Sequence, residues 1–273
     1  MQFISIFAAV KKMTDIIRPI ATELAQFEAF FEKTLHADTE PMDSIMHYVL
    51  DTQGKRLRPI LVLLSAKLFG KPNEQTLRAA TFVEMLHSAT IIHDDVVDDA
   101  NQRRGKSSVK AQFGNLSAVL AGDYLLAKAM LLLAQPDDHA ILQEMLSTTA
   151  AMSEGELMQT IVADCVSQSE KTTQYLDIIT RKTALLMRSC CVAGALSVNA
   201  IPEQVQQIAD FGLNFGILFQ LRDDILDDEN TAEAQALLPE YLQKTLDSLK
   251  IFPASETLEA LRDLTVFCAE REE

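Results

Sequence analysis

The sequence predicts an all-α, single-domain bundle of about ten or more helices, and three observations predict it. Ten stretches carry apolar residues at three- and four-residue spacing and are rich in Ala, Leu and Met. Strand-like alternation is absent. Prolines punctuate the stretches: Pro72 with Asn73, Pro136 with Asp137 and Asp138, Pro202 and Pro253 stand at expected helix starts, where a missing N–H does no harm. At 273 residues and 48% hydrophobic content the chain can bury one large core. No repeat or low-complexity tract divides it, so residues 1–273 read as one domain.

Taken in order, residues 1–20 are expected to be extended or loosely attached, with Met13 beginning the helical part. The opening MQFISIFAAVKK carries its lysines after a short apolar run and lacks a cleavage pattern, so it is not expected to be a signal peptide. Helices follow over 20–36 and 41–51, and another over 59–69 after Gly54-Lys55-Arg56-Leu57-Arg58-Pro59. The helix at 74–100 runs through LHSATIIHDDVVDDA. That at 115–134 begins GNLSAVLAGD, which has neither a strand before it nor the lysine of a phosphate-binding loop. Residues 138–165 contain Gly155-Glu156-Leu157, and 170–198 contain Lys182-Thr183-Ala184 and the adjacent Cys190 and Cys191. The helix at 203–228 ends in FGILFQLRDDILDD, the one at 232–250 is amphipathic, and 255–270 closes the bundle. No segment is expected to insert stably in a membrane.

Twenty-four basic residues against 39 acidic ones give a net charge of −15, which argues against nucleic acid as a partner. Cys165, Cys190, Cys191 and Cys268 lack metal-type spacing, and the adjacent Cys190 and Cys191 read as small hydrophobes in an apolar helical run rather than as a pair, so a reducing cytoplasm is expected. His36, His47 and His139 stand in polar surroundings with no partners in sequence, and His93 reads as structural. Arg56 and Lys106 are read either as part of a local cationic pocket or as ordinary surface cations.

Two aspartate clusters carry the chemistry: Asp94, Asp95 and Asp98 in one helix, Asp223, Asp224 and Asp227 in another. A lone acidic run is usually a solvated face. Here each run emerges from a segment that should be buried, Ala89-Thr90-Ile91-Ile92 in one case and Phe215 to Leu221 in the other. Carboxylates placed there need cationic partners. At 100° per residue, Asp94 and Asp98 fall within ~40° of each other, as do Asp223 and Asp227, so each helix offers two carboxylates on one stripe. Val83, His87 and Thr90 share the first stripe, Gly216 and Gln220 the second. Facing stripes would hold hard dications such as Mg²⁺, which keeps waters and takes phosphate oxygens.

With these residues in view, the chain resembles the trans-type isoprenyl diphosphate synthases, most closely the long-chain polyprenyl (octaprenyl or heptaprenyl) members. The likeness covers residues 40–230, and its parts occur in family order: Gly54 to Pro59, His87, the first aspartate motif with Arg103-Arg104-Gly105, Gly155-Glu156-Leu157, Lys182-Thr183-Ala184, then Gln220 with the second motif. The resemblance implies a central apolar cavity, a homodimer and two to three Mg²⁺ ions. It implies that Asp94, Asp98 and Asp223 hold the metal on an allylic diphosphate, farnesyl diphosphate foremost, with Asp95, Asp224 and Asp227 completing or supporting the shells. Arg103, Lys182, Thr183 and Gln220 match positions on the allylic diphosphate; Lys55, Arg58, His87 and Arg104 match those that bind isopentenyl diphosphate. From the residues alone, Lys182 snorkelling to the surface and Gln220 satisfying a buried carbonyl remain open.

The chain departs from the family after the second motif, where a glycine-lysine loop is normal and no glycine follows Gly216. Either the loop is deleted, leaving an open site, or a segment is missing near 229–232; intact aspartates favour the second. Two other readings compete. A class I terpene cyclase would not need Lys55, Arg58 and His87, and a regulatory subunit of a heteromeric synthase would commonly have lost one aspartate motif.

Product length is read from the helix before Asp94. At 1.5 Å per residue, Thr90 and Ala89 lie ~6 and ~7.5 Å below that carboxylate, where the growing chain must pass. The family's short-chain members carry bulky aromatics there, and here both residues are small. Leu86, Val83 and Phe82 continue the wall until Phe82 or a neighbouring helix closes it, which implies on the order of six to ten five-carbon units. The wheel puts Thr90 nearer the Asp94 stripe, ~40° away against ~140° for Ala89. The resemblance makes Ala89 the floor, and Ala89 is preferred.

Overall fold

The computed structural model describes residues 11–51, 54–103, 105–161, 168–229 and 231–272. Its helices are α1 (Met13–Ile16), α2 (Ala21–Leu35), α3 (Glu40–Asp51), α4 (Leu57–Phe69), α5 (Glu74–Val97), α6 (Val109–Phe113), α7 (Asn115–Leu132), α8 (His139–Ile161), α9 (Gln168–Ile179), α10 (Leu185–Ser197), α11 (Pro202–Leu226), α12 (Thr231–Ser248) and α13 (Glu256–Glu270). The all-α bundle expected from periodicity is what forms, and its starts follow local chemistry. Asn73 caps α5 through a reciprocal box with Thr76, Pro202 occupies the first turn of α11, and the Ser255 side chain accepts from Leu258 N–H at the head of α13.

Two features correct the sequence reading. Two short strands, β1 (Gln102–Arg103) and β2 (Lys106–Ser107), pair antiparallel, with Gly105 between them at φ 75°. Strands of two residues are too short to show alternation. The single helix expected over 170–198 is α9 and α10 joined by a π-helical turn, Thr180–Ala184.

The centre of the bundle is α10, which packs against α4, α5, α8 and α11. Its neighbour α4 is buried from Leu57 through Ala66 but for Arg58. Phe82, Phe211 and Phe215 are fully buried in this core, each worth ~1.5–3 kcal/mol of transfer free energy. Close approach needs glycine at Gly216, where an added methyl would fall 2.5 Å from Ala184 Cα. That contact seats α11 on the π-turn. Cys190, Cys191 and Cys268 are buried free thiols, and burial pushes Cys191 and Cys268 up to about 12. Cys190 and Cys191 pack as the small hydrophobes expected, Cys268 packs in the same way, and Cys165 lies outside the described residues.

Among the described residues, α7 is long and apolar enough to cross a membrane by length and composition alone. It packs against α5 and buries Ala118, Ala121, Gly122, Leu125 and Ala129, as a helix of the bundle does.

Candidate active site

Both aspartate clusters sit on the last turn of their helix, and the two ends are built alike. Asp98 and Asp227 are the C-cap residues, their N–H groups donating to Asp94 O and Asp223 O at 2.8 and 2.9 Å. Asp99 and Asp228 follow in the left-handed region, at φ 53° and 57°. Ala100 and Glu229 N–H then donate back to Asp95 O and Asp224 O at 2.9 and 2.8 Å. A helix C-terminus carries partial negative charge, so carboxylates there are unfavourable until a cation arrives.

Within each cluster the three aspartates take different places. The second members are buried and held by protein donors. Asp95 accepts from Arg103 Nε and Nη2 at 3.0 and 2.7 Å, and Asp224 accepts from Tyr175 Oη at 2.5 Å and Gln220 Nε2 at 2.7 Å. Thr183 Oγ1 in turn donates to Gln220 Oε1 at 2.7 Å. Gln220 therefore links the π-turn to the second cluster instead of satisfying a buried carbonyl. The third members, Asp98 and Asp227, are exposed. The first members are half-buried, and burial, reinforced by Glu156, pushes the Asp94 carboxyl up to about 6 against the pull of Lys182. Burial also raises Asp223, opposed by Arg271, which pairs with it and lies 4.2 Å from the Phe219 ring centroid.

A cavity of about 530 Å³ opens beside Asp94, lined among others by Arg58, His87, Lys182, Thr183 and, on its apolar side, Leu86, Ala89, Thr90, Leu126 and Met152. Ala89 lines it despite lying off the Asp94 stripe. Phe82 is fully buried and is not part of the lining. Lys182 is one-third exposed and bonds Glu156 at 2.7 Å and Gln159 at 2.9 Å, so it does not snorkel outward but faces the cavity. Its charge acts on both Asp94 and Asp224, and that of Arg58 on Asp223, which couples the clusters electrostatically. A smaller pocket holds Gly54, Asp95 and Arg103, and His87 borders both spaces. Lys55 is exposed at the start of α4, and Arg104 lies outside the described residues.

Several residues stand differently from their sequence reading. Arg56 is no surface cation: it is buried, donates to Glu84 at 2.7 Å and Glu28 at 3.1 Å, and lies 4.5 Å from the Phe31 ring centroid. His36 and His47 do have a partner, Asp43, at 3.2 and 3.4 Å. Lys106 is exposed and donates to Asp51 O. His93 packs on Gly122 with Nε2 3.2 Å from Val119 O, and it also lines the cavity beside Asp94. Tyr175 and Arg271 escaped the sequence reading because nothing local marks a residue that reaches across 49 or 48 positions.

Residues 39–236 match the polyprenyl synthetase family. The chain belongs to it. Octaprenyl diphosphate synthase of Haemophilus influenzae is 36% identical over 203 residues, covering 74% of this chain and 60% of that protein. The all-trans-nonaprenyl-diphosphate synthase (geranyl-diphosphate specific) of Rhodobacter capsulatus is 35% identical over 227 residues, 82% of this chain and 69% of its own. The chain thus spans about three-fifths to two-thirds of the curated relatives it matches. The fold superimposes on a polyprenyl synthase from Caulobacter crescentus CB15, complexed with calcium and isoprenyl diphosphate, with TM-score 0.87 and 25% identity over 97% of this chain and 99% of that one.

Proposed function

We propose that this chain is a long-chain polyprenyl diphosphate synthase, joining isopentenyl diphosphate head-to-tail onto an allylic diphosphate primer, farnesyl diphosphate foremost. The carrying observation is the cavity in which Asp94 and Lys182 share a wall with Leu86, Ala89 and Thr90, small at the two positions nearest the carboxylate. Family relatives range from geranylgeranyl to nonaprenyl diphosphate synthases, so product length rests on this wall.

The donor set fits Mg²⁺: oxygen ligands only, first aspartates whose carboxyls burial has raised, and helix ends whose polarity favours a cation. Asp94, Asp98, Asp223 and Asp227 would hold two to three ions, which supply positive charge for the diphosphate as it leaves. Asp95 and Asp224, tethered to Arg103, Tyr175 and Gln220, fix the helix ends that present them. Lys182, Thr183, Gln220 and Arg103 bind the allylic diphosphate, and Lys55, Arg58, His87 and Arg104 the isopentenyl one. The apolar wall excludes water while the allylic C–O bond breaks and the isopentenyl double bond forms the new C–C bond. The proton lost leaves with the released diphosphate, so no protein nucleophile is needed.

Apolar Leu116, Val119, Leu120 and Leu131, exposed on α7, support a homodimer. A second reading, a subunit of a heteromeric synthase, is favoured by a 34% identical relative named heptaprenyl diphosphate synthase component 2, from Geobacillus stearothermophilus, and by the short α11–α12 connection. Purified protein incubated with farnesyl diphosphate, labelled isopentenyl diphosphate and Mg²⁺, followed by product sizing, separates the readings. Long products from this chain alone support the first; no product until a second chain is added supports the other.

A further inference from the structure

The corner between α2 and α3 brings together three ligand-type side chains that the aspartate cage does not use. His36 is the residue after α2, with extended ψ of 136°, and its carbonyl is pinned by Lys128 of α7. Asp43 lies in the first turn of α3, where Ala37 N–H donates to its Oδ1 at 2.9 Å and fixes the carboxylate. His47 stands one turn on, at i+4, so it rises on the same face. His36 Nδ1 is 3.2 Å from Asp43 Oδ1, His47 Nε2 is 3.4 Å from Asp43 Oδ2, and all three ligand atoms lie within 4.8 Å of one another. The imidazole rings meet edge-on, 5.2 Å apart at 81°.

We propose that His36, Asp43 and His47 bind one divalent transition cation of the Zn²⁺ type. The two histidines flank the Asp43 carboxylate, one at each oxygen, and the three ligand atoms lie within 4.8 Å of one another, so small side-chain rotations bring one Asp43 oxygen and both imidazole nitrogens to the ~2.0–2.1 Å bonds of a single ion. Both imidazoles are more than half exposed, which leaves the fourth position to water. Two imidazoles select a borderline dication, whereas the all-carboxylate cage suits Mg²⁺, so the two sites divide metals by ligand softness. The ion would clip α2 to α3. From there Tyr48 Oη donates to Ser107 O at 2.7 Å, tying α3 to the hairpin that carries Arg103.

The test uses the whole protein, stripped with chelator and then held in millimolar Mg²⁺ to saturate the carboxylates. Zn²⁺ is titrated by calorimetry and Co²⁺ by visible absorption. The wild type should take up a single saturable equivalent, and His36→Ala or His47→Ala should weaken it by ~100-fold, at the upper end of what loss of even an outer partner costs. Asp94→Asn should leave this equivalent unchanged. Absence of saturable Zn²⁺ binding, or binding lost in Asp94→Asn and kept in both histidine variants, overturns the site. Melting in chelator checks the fold; if an alanine variant melts below wild type, His36→Gln and His47→Gln decide in its place.

Discussion

Asp94→Asn should make the metal-free protein more stable while abolishing its activity. Asp94 titrates near 6 in the folded chain against 3.8 as a free side chain, chiefly because it is buried. Between those values the folded protein keeps a proton that the unfolded chain gives up, so the stability that proton confers is full at low pH and is lost as pH rises through about 6. Above that, the charged carboxylate costs at most ~3 kcal/mol at 1.36 kcal/mol per unit, and partial exposure screens this to ~1–2 kcal/mol. For a chain of this size, that is a rise of ~2–4 °C in Tm for the asparagine variant at pH 8. The gain should shrink to roughly half at pH 5 and vanish toward pH 4. Scanning calorimetry in chelator across this range reads it directly, and prenyl transfer by the same variant should fall by at least ~10³-fold. An unchanged or lower Tm at pH 8, or a gain independent of pH, would refute burial as the origin of the shift.

Tyr175→Phe removes a donor that tethers Asp224 and so loosens the helix end that presents Asp223 and Asp227; half-saturating Mg²⁺ should rise ~10-fold. Superimposable Mg²⁺ curves would exclude the tether. Arg56→Ala strands buried Glu84 and should cost ~3–5 kcal/mol in urea unfolding; a loss below ~1 kcal/mol would mean that Glu84 finds water. Ala89→Phe should block the cavity ~7.5 Å below Asp94 and shift products to about three or four five-carbon units, with the first condensation nearly unchanged and Thr90→Phe shortening them less. Chromatographic sizing that shows wild-type lengths from Ala89→Phe would place chain growth along another wall.

The helices were legible because burial on one face writes a 3.6-residue period into the chain, and α2, α3, α4, α5 and α11 begin and end within a few residues of where that period does. The aspartate stripes were legible for the same reason. What periodicity cannot carry is a contact made by tertiary approach. Arg56 reads as one more cation beside Lys55 and Arg58, and only folding brings Glu28 and Glu84, each 28 positions away, against it. Asp95 and Asp224 look like their neighbours in sequence, yet a rotation of one residue turns them from the open end of the helix into hydrogen bonds with Arg103 and Tyr175. The hairpin was invisible because its strands have two residues each, a single repeat of the strand period, and the π-turn because one extra residue shifts the phase of a helical pattern without interrupting it.

The π-turn at Thr180–Ala184 makes the site a matter of phase as well as of composition. Such a turn holds one residue more than the α-helix it interrupts. Deleting Thr180 or Arg181 there would let α9 and α10 merge into a regular helix, with Lys182, Thr183 and both aspartate clusters still present. It would also swing α9 by ~100° relative to α10. Tyr175 would then leave Asp224 while α10 kept its seat against α4 and α11. A chain one residue shorter could thus fold as tightly as its parent and still lack a working second cluster, through a change that no tally of retained motif residues would detect.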